Sequence, residues 1–244
     1  MPVAIVIGGA RRLGRSISLQ LAASGYDVGI TYFTSSEQAS TLEREVTDMG
    51  RAFAASKCDV RHETDLVASW QHLVAELGTP DVLVVCAGVF PDRRHPVDVS
   101  INHVADAINV NALPLVILAQ QYALLCSERR STGRLVSLGS LGAVEIWNNR
   151  LAYNMSKSAA RTAALSLARS LAPTVSVNIV APGAIAQPGD ETESDASLIP
   201  TERIPMGRHG TDADVCEAVM FFASASHYIT GQTIYVDGGY GLTR

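Results

Sequence analysis

The chain lacks any Cys-x-x-Cys pair: Cys58, Cys86, Cys126 and Cys216 are scattered across 244 residues. That spacing excludes the usual zinc motifs and suggests no disulfide framework, so the thiols read as small buried hydrophobes. The six histidines are equally dispersed, with no paired ligand spacing, and no metal site is expected. A basic excess is missing as well. With a net charge of -5 and a pI near 5.7, nucleic acid is a poor partner, because phosphate binding wants a clear positive surplus. Long hydrophobic runs are absent too: those at 82–85 and 115–119 fall far short of the ~20 residues a membrane span needs. The first residues lead straight into an apolar strand pattern, without the basic region of a signal peptide. These absences point to a cytoplasmic protein with neither nucleic acid nor membrane as partner.

What is present is globular: 47% hydrophobic and 18% charged residues, at a length that fits one α/β domain over 1–244 with an ample core. Short β-branched runs at 3–7, 28–31, 52–56, 82–85, 134–138, 176–180 and 233–236 alternate with amphipathic stretches. The latter predict helices at 13–24, 36–49, 62–77, 100–127, 151–172 and 211–223. Several strand candidates are apolar throughout, the pattern of strands covered on both faces. The fold class is therefore α/β, a single doubly wound parallel sheet of about seven strands with helices on both sides. The polar, acidic, proline-punctuated stretch at 186–205 reads as a long loop or loose helical lid over the ligand end.

The first strand runs into Gly8, Gly9, Ala10, Arg11, Arg12, Leu13 and Gly14, then into a helix. Glycines at such a junction let the backbone turn and approach a pyrophosphate, which a helix N-terminus stabilises. An NAD site wants a carboxylate near the end of the second strand, yet residues 30–36 hold none before Glu37. Arg11 and Arg12 offer guanidinium groups for a 2′-phosphate, and Thr34, Ser35 and Ser36 add hydroxyls. NADPH is the expected cofactor. Asp59 and Val60 follow the third strand where an adenine edge would sit, and Ala87 and Gly88 follow the fourth. Either pair also fits ordinary turn chemistry.

Tyr153 and Lys157 lie four apart on one predicted helix face. A phenol has a reference pKa of ~10, and a neighbouring ammonium favours its ionised form. Ser140 follows the fifth strand, where its hydroxyl would face the same cleft and hold a substrate carbonyl. Asn111 sits in the middle of the predicted 100–127 helix shortly before Pro114, a polar group at a kink. A plain helix bend would also account for it.

These motifs, with Asn178 through Gly183 and the C-terminal stretch 229–239, resemble the short-chain dehydrogenase/reductase family over essentially the whole chain. The resemblance implies that Tyr153 protonates the carbonyl oxygen and that Lys157 binds the nicotinamide ribose and lowers the tyrosine pKa. Ser140 would orient the carbonyl, and Asn111 would anchor a water leading to Lys157. Pro182, Gly183 and Ile185 would border the nicotinamide, with the backbone of Ile185 meeting its carboxamide. A homotetramer is the implied assembly.

Three departures from the family pattern stand out. Arg12 replaces a glycine, and the Arg-Leu-Gly turn resembles pteridine reductases. Those enzymes usually carry aspartate at the position of Ser140. Gln187 stands where many relatives have threonine. The leading expectation is reduction of a ketone, with a 3-oxoacyl thioester as one candidate, as in 3-oxoacyl-[acyl carrier protein] reductases. Reduction of a heterocyclic C=N and non-catalytic NADP(H) sensing are the alternatives. Arg129 and Arg130 would dock an acidic carrier or simply solvate a helix end.

Overall fold

The computed structural model describes residues 1–186 and 199–242. The strands are β1 (Val3–Ile7), β2 (Asp27–Tyr32), β3 (Phe53–Lys57), β4 (Val82–Val85), β5 (Gly133–Leu138), β6 (Val175–Pro182) and β7 (Thr233–Val236). The helices are α1 (Arg12–Ala23), α2 (Ser36–Asp48), α3 (Glu63–Leu77), α4 (Ile101–Asn111), α5 (Leu113–Arg129), α6 (Leu151–Leu171) and α7 (Asp212–Ser224). All seven strands form one parallel sheet in the order β3-β2-β1-β4-β5-β6-β7. The expected single-domain, doubly wound architecture is the one observed.

The continuous apolar strands are explained by two cores, one on each face. Ala4 and Val6 of β1 pack with Ile17 and Leu21 of α1, Leu42 of α2, and Val219 and Phe222 of α7. Ile5 and Ile7 point the other way, into a core with Trp70 of α3, Leu118 and Tyr122 of α5, and Ala164 of α6. Alternate residues of one strand thus serve opposite layers, so neither can be polar. The order reverses between β1 and β4, and their carboxyl ends open a crevice there, where such sheets bind ligands.

The single helix expected at 100–127 is two. α4 ends at Asn111, Ala112 leaves helical geometry at φ -124° and ψ -47°, and α5 restarts with Pro114 in its first turn. Proline cannot donate to the carbonyl four residues back, but a first turn tolerates it. Asn111 is therefore the last residue of a helix, not a mid-helix residue. Among the described residues, Ile101–Arg129 is long and apolar enough to cross a membrane by composition. Here that stretch is broken at Ala112, and Leu115, Leu118 and Tyr122 of α5 lie in the core beside α3 and α6. Of the lid expected at 186–205, residues 187–198, and with them Gln187, lie outside the described residues; 199–205 include a short 3-10 turn at Thr201–Arg203.

Candidate active site

A cleft of about 480 Å³ opens at the carboxyl ends of the strands. At one end the chain turns from β1 into α1. Gly8 has φ +79°, and a Cβ on it would lie 2.9 Å from the Cα of Ala87. A Cβ on Gly14 would lie 2.1 Å from the carbonyl oxygen of Gly8. The turn is also pinned from outside: Gly8 N donates to Thr31 Oγ1 at 3.0 Å, and Ser18 Oγ donates to the carbonyl of Gly14 at 2.8 Å. No side chain caps α1, and its first turn carries no acidic residue. The positive end of the helix dipole thus opens on the cleft, an arrangement that suits an anion. A backbone cradle closed to any side chain, beside an uncapped helix end, fits a dinucleotide pyrophosphate.

Arg11, Arg12, Leu13, Thr34, Ser35, Asp59, Val60, Ala87, Gly88, Pro182, Gly183 and Ile185 all line this cleft, as the sequence led us to expect. Arg12 adopts φ +53°, the left-handed region in which a glycine is at ease. Ser35 is the N-cap residue of α2 but makes no side-chain cap hydrogen bond, and its helix end faces the same cleft. Asp59 accepts from Arg61 Nε at 2.8 Å and from Arg61 N at 3.1 Å. Those bonds pull its carboxyl pKa down to about 2, so it is ionised throughout the neutral range. Arg61 in turn lies over the Phe33 ring, 5.6 Å from its centroid. The reading of the sequence missed Arg61 and Phe33, although an arginine two places beyond Asp59 was a local signal.

At the other end, α6 presents Tyr153 and Lys157, both buried. Lys157 Nζ lies 6.0 Å from the Tyr153 ring centroid and donates to the Leu138 carbonyl at 3.2 Å. Ser140 follows β5, and its Oγ accepts from Gly142 N at 3.0 Å, which starts a 3-10 turn. A Cβ on Gly142 would lie 2.9 Å from Tyr153 Cε1 and 3.4 Å from Ser140 Oγ. The hydroxyl and the phenol ring therefore flank one point in space. Asn111 alone of the four catalytic candidates does not line the cleft. Its Oδ1 accepts from Val89 N at 2.7 Å, and its Nδ2 donates to Val89 O at 3.0 Å and Ser156 Oγ at 2.8 Å. Gly88 lies between it and the lysine: a Cβ there would be 3.2 Å from Asn111 Oδ1 and 3.7 Å from Lys157 Nζ.

Cys86 lines the cleft beneath Gly88, and burial pushes its thiol up to about 11, so it stays protonated near neutrality. Among the described residues no cluster of histidine, cysteine and acidic side chains could hold a metal ion. Arg129 and Arg130 are exposed at the end of α5, and neither lines the cleft.

A family model described as Enoyl-(Acyl carrier protein) reductase matches residues 8–241. The 3-oxoacyl-[acyl-carrier-protein] reductase of Staphylococcus aureus is 33% identical over 97% of this chain and 96% of its own length. The solved structure of a short-chain dehydrogenase/reductase from Serratia marcescens superposes with a TM-score of 0.88 at 29% identity, over 98% of this chain and 97% of that one. This chain belongs to the short-chain dehydrogenase/reductase family. Cyclohexanol dehydrogenase of a Rhodococcus species is a further relative, 32% identical over 97% of this chain and 95% of its own. The acetoin dehydrogenase structure from Enterobacter cloacae aligns over 100% of this chain and 96% of that one, with a TM-score of 0.90 and 29% identity. As a short-chain dehydrogenase/reductase, the protein is an oxidoreductase that works with a nicotinamide cofactor.

Proposed function

We propose that the protein is an NADP(H)-dependent carbonyl reductase that converts a small-molecule ketone to an alcohol. The observation that carries this reading is the convergence of Tyr153, Lys157 and Ser140 at the carboxyl ends of the strands, in the same cleft as the glycine turn. A nicotinamide cofactor held along this cleft would supply the hydride that reduces the carbonyl carbon. The Ser140 hydroxyl donates to the carbonyl oxygen and holds it against the phenol. Tyr153 Oη passes its proton to that oxygen as negative charge develops there. The ammonium of Lys157 favours the resulting phenolate and would hold the cofactor's ribose.

Asn111 acts on Lys157 from across Gly88, while its bonds to Val89 fix the cleft wall. Pro182, Gly183 and Ile185, which line the cleft, would border the nicotinamide. Phosphate-bearing cofactor is preferred because Arg11 and Arg12 line the adenosine end and residues 32–36 offer no carboxylate to a ribose hydroxyl. The setting is cytoplasmic, in a homo-oligomer. The S. aureus relative's name makes a 3-oxoacyl thioester one candidate substrate.

The reading is tested by following NADPH absorbance over a panel of simple ketones, cyclic ketones, 3-oxoacyl thioesters and dihydropterins. Turnover of a ketone or thioester is expected, with NADH the poorer donor. Turnover of pterins alone, or of nothing, contradicts it.

A further inference from the structure

Two aromatic side chains that the proton chemistry does not use stand against Tyr153. Phe90 meets the phenol edge to face, with centroids 4.6 Å apart and planes at 86°. Trp147 lies stacked on it at 5.7 Å and 15°. The two also meet each other at 6.2 Å and 79°. Both rings are only half-buried, and Phe90 lines the cleft beside the apolar side chains of Val89, Val110 and Leu138.

Both rings are held in place by bonds on the segments that carry them and by contacts to the rings themselves. On one side of Phe90, both backbone groups of Val89 bond to Asn111. On the other, Arg150 donates to the Pro91 carbonyl, and its guanidinium lies over the Phe90 ring at 4.1 Å from the centroid. Trp147 is fixed by Asn154 Nδ2, which donates to its carbonyl at 2.9 Å, and by its own Nε1, which donates to Glu145 at 3.3 Å. Apolar side chains, among them Leu141, Ile204 and Tyr240, back it. Immobilised, partly exposed rings have already lost the freedom that binding would remove, and they attract flat π-systems over saturated groups.

We propose that the reacting carbonyl carries a flat, apolar ring, and that Phe90 and Trp147 form the platform that selects it. The carbonyl's place rests on the reduction proposed above; the platform rests on the rings alone. A linear acyl chain would leave the ring faces without a planar partner. The probes are acetophenone and 1-cyclohexylethanone, which share a carbon skeleton and differ in whether the ring is flat. Two readouts are taken: kcat/KM with NADPH, and quenching of tryptophan fluorescence with NADP+ present. Of the two tryptophans, Trp70 is buried at 3% exposure, whereas Trp147 is half-buried and stacked on Tyr153 at the cleft's edge, so Trp147 is the reporter.

A preference for the flat ketone of about tenfold is expected, the size of two aromatic contacts. Phe90→Leu and Trp147→Leu should each move the ratio of kcat/KM for the two substrates toward one, and Phe90→Leu should also weaken the quench of Trp147. Equal kcat/KM and equal quenching for both ketones in the unaltered protein would overturn the proposal. Tighter quenching by acetophenone without reduction of either ketone would keep the platform and remove the reductase reading. Equal reduction of both ketones, with no difference in quenching, would do the reverse.

Discussion

At the dinucleotide end of the cleft the walls are backbone: the Gly8–Gly14 turn, the Ala87–Gly88 passage and the uncapped start of α1. At the substrate end they are side chains, brought together from segments near 90 and 147 and from α6. The first kind of wall admits one shape of ligand and tolerates no added atoms. The second takes its selectivity from which side chains happen to meet, and can change while the fold stays the same. The relatives fit that division. They are named 3-oxoacyl-[acyl-carrier-protein] reductase, cyclohexanol dehydrogenase and acetoin dehydrogenase, yet each aligns with nearly the whole of this chain.

The comparison breaks most sharply at Gly14. An alanine Cβ would lie 2.1 Å from the Gly8 carbonyl, a backbone atom that cannot swing aside. Gly14→Ala should weaken cofactor binding on the order of 100-fold, about the ~3 kcal/mol at the upper end of overpacking strain. Calorimetric titration with NADP+ measures it. Unchanged affinity would mean the turn is not a closed cradle.

A smaller effect is expected at Arg12. Alanine and arginine carry the same penalty at φ +53°, so Arg12→Ala removes the guanidinium without changing the backbone strain. Loss of a charge-assisted bond should weaken NADPH binding roughly 10- to 100-fold and NADH binding far less. Equal losses would show that the arginine does not read the 2′-phosphate.

The same contrast decides what the sequence disclosed. Strands such as Val82–Val85, apolar at every position, announced a sheet covered on both faces, and the fold followed from them. The glycine turn and the Tyr153–Lys157 spacing were legible because each is local, a few residues on one element. Asn111 stood out as a polar residue near a proline, and the helix ends at it. Its partners Val89 and Ser156, however, sit on other segments that only tertiary packing brings near. Phe90 and Trp147 left no sequence signal at all. Lone aromatics in loops are commonplace, and nothing local tells that two will converge on one phenol. Arg61 was an exception, a readable i,i+2 partner for Asp59 that was passed over.

The central claim is that Tyr153 donates the proton. It is tested most directly by measuring Tyr153→Phe for cofactor affinity and for single-turnover reduction of the best ketone from the panel. Phenylalanine keeps the ring and its contacts with Phe90 and Trp147 but removes the hydroxyl. The account predicts NADPH affinity within about twofold of the unaltered protein, and a rate lower by at least ~100-fold, the usual size of a general-acid contribution. A variant that binds NADPH and reduces the ketone at the original rate would contradict it.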